Sequence, residues 1–245
     1  MQRGISSLRP VVIRWRIWYN VLMELTTQAG GLRMNQFGKE SLGLFPTPLY
    51  RLENISRALG TQVWIKRDDL CGVALGGNKV RKLEYLLHDA KRQGYDLVMT
   101  TGQAQSNHAM LTAACALRLG MDCMLVLKKR GITERKGNQI LNHLMGVEVR
   151  YVDTDSYDDI YREMDRIGAE MGRRVYKIPC GGSNALGTLG YIDCMREVAE
   201  SGRHFDHLVC ACGSGGTAAG CVWARSSICP GRRSCAPWWM TIPST

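Results

Sequence analysis

The feature that most restricts the fold is an alternation running from Leu97 to Ala211. Short apolar stretches at residues 97–100, 123–127, 147–152, 175–178 and 207–211 take turns with helical patterns at 108–119, 134–145, 157–171 and 184–200. Three of those helices are closed by a glycine: Gly120, Gly146 and Gly172. Strands separated by helices of this length predict right-handed βαβ units and an α/β fold, with open parallel sheet and flanking helices. Ligands of such sheets bind beyond the carboxyl ends of the strands. Three loops rich in glycine or polar residues (101–107, 180–184 and 212–217) each follow a strand, and the topology predicts that they converge on one crevice.

Upstream, Phe45-Pro-Thr-Pro48 is extended by its prolines, residues 52–59 form a short helical pattern and residues 62–66 alternate like a strand. Arg67-Asp-Asp69 leads into a turn that ends at Gly76-Gly77-Asn78-Lys79, and a helix is expected to follow as far as Ala90. Asn78 has the chemistry of a helix N-cap. Lys79 falls in the first turn, where the partial positive charge of the helix end disfavours a second cation. An amine held neutral in this way is a nucleophile for a carbonyl. The same spacing also suits a solvated surface lysine beside a glycine turn, and local pattern leaves both open.

Cys212-Gly-Ser-Gly-Gly-Thr217 opens a small-residue helix, Ala218-Ala-Gly220. Its glycines let backbone N–H groups turn inward, and the hydroxyls of Ser214 and Thr217 add donors at a helix N-terminus, which suits a phosphate. It has neither the Lys-Ser/Thr ending of a nucleotide loop nor the dinucleotide glycine spacing, and a tight strand-to-helix turn would look the same. In Gln105-Ser-Asn-His108, Ser106 is a capping type. Alternatively, Ser106 and Asn107 bind a carboxylate or phenolate oxygen, and His108 is a ligand contact or a polar first-turn residue. Gly181-Gly-Ser-Asn184 is a third junction of this kind.

The net charge is +10, but Arg3, Arg9, Arg14 and Arg16 at one end and Arg225, Arg232 and Arg233 at the other supply seven of it without a compensating acid. No basic stripe interleaved with aromatics is present, so nucleic acid is not an expected partner. No run of 18 apolar residues predicts a membrane span. Among the ten cysteines, Cys115, Cys123, Cys194 and Cys210 sit in apolar helix or strand patterns, where a free thiol acts as a small hydrophobe. Cys210-Ala-Cys212 lacks zinc-knuckle spacing, so no metal is expected, and a reduced, cytoplasmic compartment is the simpler reading. Arginines break any secretory h-region near the amino end. Met23 is the expected natural start, with residues 1–22 an upstream extension.

Four motifs in order, Gly76-Gly-Asn-Lys79-Val-Arg-Lys-Leu-Glu-Tyr85, Gln105-Ser-Asn-His108, Ile178-Pro-Cys-Gly-Gly-Ser-Asn184 and Gly213-Ser-Gly-Gly-Thr217, resemble the pyridoxal-phosphate enzymes of tryptophan synthase β-type fold. The similar branch holds D-cysteine desulfhydrase and 1-aminocyclopropane-1-carboxylate deaminase, and the resemblance covers about residues 35–222. It implies a two-domain fold: residues 23–81 and 186–222 in a large cofactor domain and 82–185 in a small α/β domain. It also implies pyridoxal 5'-phosphate as cofactor, a small amino-acid substrate and, for full-length members, a homodimer. Catalytic residues would be Lys79, joined to the cofactor aldehyde and then moving the substrate α-proton, and Ser106. Asn78, Asn107, Gly213, Ser214, Gly215, Gly216 and Thr217 would bind the cofactor, with Asn107 on the ring hydroxyl and 213–217 on the phosphate. Ser106, Asn107 and His108 would line the substrate carboxylate pocket. The implied reaction is β-elimination of D-cysteine to pyruvate, ammonia and sulfide. The cyclopropane deaminases, which carry Gln where His108 stands, and L-cysteate sulfo-lyase are the alternatives.

The resemblance stops near residue 222. The family continues with further strands and helices of the large domain, whereas residues 223–245 show no periodicity and contain three prolines. A reading-frame shift near residue 223 is the expected origin of that tail. It predicts a large domain without its carboxyl-terminal part, exposed apolar surface, and a remnant that binds without catalysis as the reading of another class.

Overall fold

The computed structural model describes residues 37–130 and 134–228. Among the described residues the chain forms β1 (Leu49–Arg51), α1 (Glu53–Leu59), β2 (Trp64–Lys66), α2 (Lys79–Arg92), β3 (Leu97–Gln103), α3 (Asn107–Arg118), β4 (Asp122–Lys128), α4 (Asn138–Leu144), β5 (Glu148–Val152), α5 (Tyr157–Met171), β6 (Val175–Ile178), α6 (Ala185–Glu200) and α7 (Gly216–Ile228). β1 and β2 make an antiparallel pair, and the other four strands make a parallel sheet in the order β5-β4-β3-β6. The chain therefore winds outward from β3 to β5 and then returns through α5 to place β6 on the other side of β3. The strand order reverses between β3 and β6, and a crevice opens at the carboxyl ends of strands at such a point.

Period-two alternation sends the strand side chains to opposite faces. Val98, Leu125 and Ile178 pack with Leu83, Leu86 and Leu87 of α2 and Met110 and Leu111 of α3. Leu97, Met99, Met124 and Val126 pack on Ile160, Met164 and Ile167 of α5. Both sheet faces are covered, which explains why these strands read as continuous apolar runs. Cys115, Cys123 and Cys194 are buried free thiols, and burial pushes each up to about 12.

On its other flank α2 meets α6. A Cβ at Gly190 would lie 2.2 Å from the Arg81 carbonyl oxygen, so the two backbones approach closely only through that glycine. A buried charge network ties this junction. Arg81, 2% exposed, holds Asp68 through Nε (2.9 Å) and Nη2 (2.9 Å) and Glu197 through Nη1 (2.7 Å) and Nη2 (2.9 Å). Lys66 completes it at 2.5 Å from Glu197.

Three expectations are corrected. Residues 207–211 form no strand: among the described residues no strand pairs with them, Leu208 lies against the Tyr191, Cys194 and Cys221 cluster, and Val209 is 74% exposed. Alternation supplies a strand's side-chain pattern, but a neighbouring strand must supply its hydrogen bonds. The helix expected over 134–145 starts only at Asn138, because Gly137 adopts φ 54°, ψ −131° and the backbone cannot enter a helix there. The helix after the last glycine loop continues to Ile228, past the point at which periodicity was expected to fail; residues 1–36 and 229–245 lie outside the described ones.

Candidate active site

The three loops predicted to converge do so. Gly181 and Ser214 are in contact, since a Cβ on Gly181 would fall 2.2 Å from Ser214 Oγ. Ser183 Oγ lies 2.7 Å from Ser214 Oγ and accepts from the Gly216 N–H at 3.3 Å. A Cβ on Gly77 would sit 2.8 Å from Asn107 Nδ2, which brings the lysine loop against the loop after β3. The carboxyl ends of β3 and β6, the start of α2 and the start of α7 thus enclose one crevice.

Lys79 is half-buried at the first position of α2, and its Nζ donates to Asn78 Oδ1 at 2.8 Å. Burial lowers the amine below its ordinary value, partly opposed by the charge of Cys180. Asn78 does not cap the helix. Its backbone is already helical (φ −60°, ψ −14°), a geometry from which the side chain cannot turn back to the first-turn N–H groups, and no capping bond forms. Instead its Nδ2 donates to Thr217 Oγ1 at 3.0 Å, tying the lysine to the glycine loop across 139 residues of sequence.

Ser106 caps α3: its Oγ accepts from the Ala109 N–H at 3.2 Å, which leaves its O–H as a donor. Asn107 is exposed beside Gly77. His108 is 4% exposed, with Nε2 2.8 Å from Thr100 Oγ1 of β3. Burial, then the charges of Lys79 and Lys82, push its imidazole down to about 3. The expected pocket-lining role is corrected accordingly. His108 is a neutral side chain beneath the crevice and carries no positive charge to pair with a carboxylate.

Sequence reasoning missed Lys82 and Ser183. Lys82 Nζ, on a residue 1% exposed, donates to Gly181 O and Ser183 Oγ, each at 3.1 Å, and would lie 3.0 Å from a Cβ on Gly216. Burial and then the neighbouring Lys79 lower its amine to about 7. The available signal was position: Lys82 is three residues after Lys79, on the stripe of α2 that Val80, Leu83, Leu86 and Leu87 mark as inward-facing.

The crevice therefore gathers two lysine amines, the hydroxyls of Ser183, Ser214 and Thr217, and the N-terminus of the 13-residue α7. Among the described residues no carboxylate pairs with either lysine. Above the loop, nothing lies within 4 Å of a Cβ built on Gly213 or Gly215, so there is space for a ligand. A positively charged, donor-rich pocket with an amine on one side fits an aldehyde that carries a phosphate.

The family model described as pyridoxal-phosphate dependent enzyme matches residues 40–236. The chain belongs to this family. A pyridoxal-phosphate-dependent family member is thus the context for its parallel sheet and for the amine-and-anion geometry of its crevice, and pyridoxal phosphate is the cofactor of that family. A Pyrococcus horikoshii protein named "Putative 1-aminocyclopropane-1-carboxylate deaminase" is 47% identical over 189 residues, 76% of this chain and 58% of that protein. A D-cysteine desulfhydrase of Yersinia pestis is 40% identical over 209 residues, 81% and 63% respectively. The solved structure of an ACC deaminase homologue superposes with a TM-score of 0.76 at 44% identity, covering 80% of this chain and 61% of that one. The chain spans about three fifths of the length of the curated relatives it matches.

Proposed function

We propose that the chain carries the site of a pyridoxal-phosphate-dependent lyase that cleaves D-cysteine, with water, to pyruvate, ammonia and hydrogen sulfide. The observation that carries this reading is the pairing of a desolvated Lys79 amine with a separate anion cradle tied to it by the Asn78–Thr217 bond. When bound, the cofactor supplies an electron sink for the charge that develops at the substrate Cα.

This chain's own residues do the rest. Lys79 would hold the cofactor through its aldehyde and would hold the substrate α-proton at Nζ, for which an amine lowered by burial is suited. Lys82, Ser183, Ser214, Thr217 and the N–H groups of 213–217 would hold the phosphate, and Asn107 would hydrogen-bond the ring hydroxyl. Ser106 offers its free O–H to the substrate carboxylate, and α3 directs its N-terminus the same way.

Two relatives named for cyclopropane deamination favour a second reading, in which the same base acts on 1-aminocyclopropane-1-carboxylate. The relative named D-cysteine desulfhydrase, 40% identical, supports D-cysteine. Borohydride trapping with pyridoxal phosphate, followed by peptide mass spectrometry, tests the site: the adduct is expected on Lys79 and absent from Lys79→Ala. Keto-acid release from D-cysteine, L-cysteate and the cyclopropane amino acid then ranks the substrates. An adduct on any other lysine refutes the site, and binding without keto acid from any of the three refutes the lyase.

A further inference from the structure

One line of side chains reaches from the surface of the crevice into the core. Ser214 is exposed, and its Oγ lies 2.7 Å from that of Ser183, which is 4% exposed. Ser183 Oγ lies in turn 3.1 Å from Nζ of Lys82, 1% exposed. Two glycines make room for this line. A Cβ on Gly181 would fall 2.2 Å from Ser214 Oγ, and one on Gly216 would fall 2.6 Å from Ser183 Oγ and 3.0 Å from Lys82 Nζ. An exposed serine, a second hydroxyl and a buried amine in hydrogen-bond series are the parts of a Ser-Lys hydrolytic site.

The direction of the bonds follows the charge on the amine. As a cation, Lys82 donates to Gly181 O and Ser183 Oγ. As a neutral amine it keeps an N–H on Gly181 O and has a lone pair for the Ser183 O–H, which leaves Ser183 Oγ to accept from Ser214. Burial and then Lys79 lower this amine to about 7, so the neutral form prevails above that pH. The other titratable groups that face it are Cys180 after β6, Cys212 and Cys221 before and on α7, and the neutral His108 of α3. The N–H groups of the first turn of α7 lack acceptors within the helix and begin two residues after Ser214, which supplies donors for an oxyanion.

We propose that Ser214 is also an acyl-accepting nucleophile, through which the chain, when free of cofactor, hydrolyses small activated carboxylic esters. Ser214 Oγ bonds to the acyl carbon. Its proton passes to Ser183 Oγ as the Ser183 proton passes to Lys82 Nζ. The ester C–O bond breaks, and the leaving oxygen keeps the electron pair and takes the proton back from Lys82 by the same path. Water then attacks the acyl-serine and gives its proton to Lys82 through Ser183. The Ser214 Oγ–acyl bond breaks, Ser214 regains the proton and the acid leaves. Nothing is oxidised or reduced. Ser214 is the catalytic residue of this activity; Ser183 and Lys82 act through it.

The full chain, freed of cofactor by dialysis against hydroxylamine and then of hydroxylamine, is given p-nitrophenyl acetate. Release of p-nitrophenol is expected to rise with pH through about 7, with the acetyl group found on Ser214 by peptide mass spectrometry. Ser214→Ala should lose the adduct. Ser183→Ala and Lys82→Met should be slowed on the order of 100-fold and should lose the rise near pH 7, a readout that a structural role alone would not move. Reconstitution with pyridoxal phosphate should suppress acetylation of Ser214, because its phosphate would take the same hydroxyl. Absence of an acetyl group from Ser214, whichever other residue carries one, overturns the proposal. So does a Ser214 adduct formed at the unaltered rate in Ser183→Ala and Lys82→Met, or in the chain reconstituted with pyridoxal phosphate. None of these results bears on the lyase reading, which rests on the borohydride adduct at Lys79 and on keto-acid release.

Discussion

Replacing Lys82 with methionine should stabilise the ligand-free chain while spoiling its anion cradle. In the folded chain, burial and Lys79 lower the Lys82 amine from 10.5 to about 7. Between those two values the unfolded chain binds more protons than the folded one, so wild-type stability rises with pH across that window. Near pH 7 the penalty on the folded state is ~4 kcal/mol, at ~1.4 kcal/mol for each pH unit of displacement. Methionine fills similar volume without the charge. It removes the Lys82 hydrogen bonds to Gly181 O and Ser183 Oγ, at a cost of ~1 kcal/mol each. The net expectation is a chain ~2 kcal/mol more stable than wild type near pH 7. Near pH 10 most of the penalty is gone and only the lost hydrogen bonds remain, so the sign reverses to a deficit of ~1 kcal/mol. Urea unfolding of both chains at the two pH values reads this directly. Inorganic phosphate and pyridoxal phosphate should bind Lys82→Met on the order of 30-fold more weakly, the equivalent of one charge-assisted hydrogen bond. Destabilisation at both pH values, or undiminished phosphate binding, would refute the assignment of Lys82 as a desolvated cation held for an anion.

Two other perturbations follow from the junction of α2 and α6. Arg81→Met leaves half-buried Asp68 with only the hydroxyls of Thr47 and Tyr191 and Glu197 with only Lys66, and should cost ~3 kcal/mol in urea unfolding. Burial raises Asp68 and Glu197, but Arg81, with Tyr191 and Thr47 at Asp68 and Lys66 at Glu197, more than offsets it and holds both carboxyls below their ordinary 3.8 and 4.5. Their contribution is present above those values and is lost as pH falls through the folded ones, so wild type should lose stability on acidification below about pH 4.5 and Arg81→Met should lose less. Gly190→Ala places a methyl against the Arg81 backbone rather than against a side chain that could rotate away. It should cost ~1–3 kcal/mol despite the better helix propensity of alanine, which a thermal melt would measure.

The sequence disclosed what depends on local pattern. The helix at Tyr157–Met171 and the strand at Val175–Ile178 were legible to the residue, because Ser156 and Gly172 bound the one and turn residues bound the other. The convergence of the loops 101–107, 180–184 and 212–217 was legible from their glycines and polar residues, although no strand precedes the last of them. Long-range partners were not. Asn78 looks like a cap from its neighbours, and only the folded chain shows that Thr217 takes its amide. Lys82 looks like one more polar residue of a charged helix until α7 closes over it. Residues 207–211 have a strand's composition, but pairing is a property of two segments and could not be read from one.

The outer strands of the sheet bear on how copies of this chain meet. Among the described residues, β5 and β6 are the strands of the parallel sheet with a neighbour on one side only. β5 carries Glu148 and Arg150, paired at 2.9 Å, and β6 carries the exposed Lys177, paired with Asp165 of α5. A further chain adding its backbone to either margin would have to strip water from these ions, which makes lateral growth of the sheet unfavourable. Among the described residues, self-recognition through either margin of this sheet is thereby discouraged.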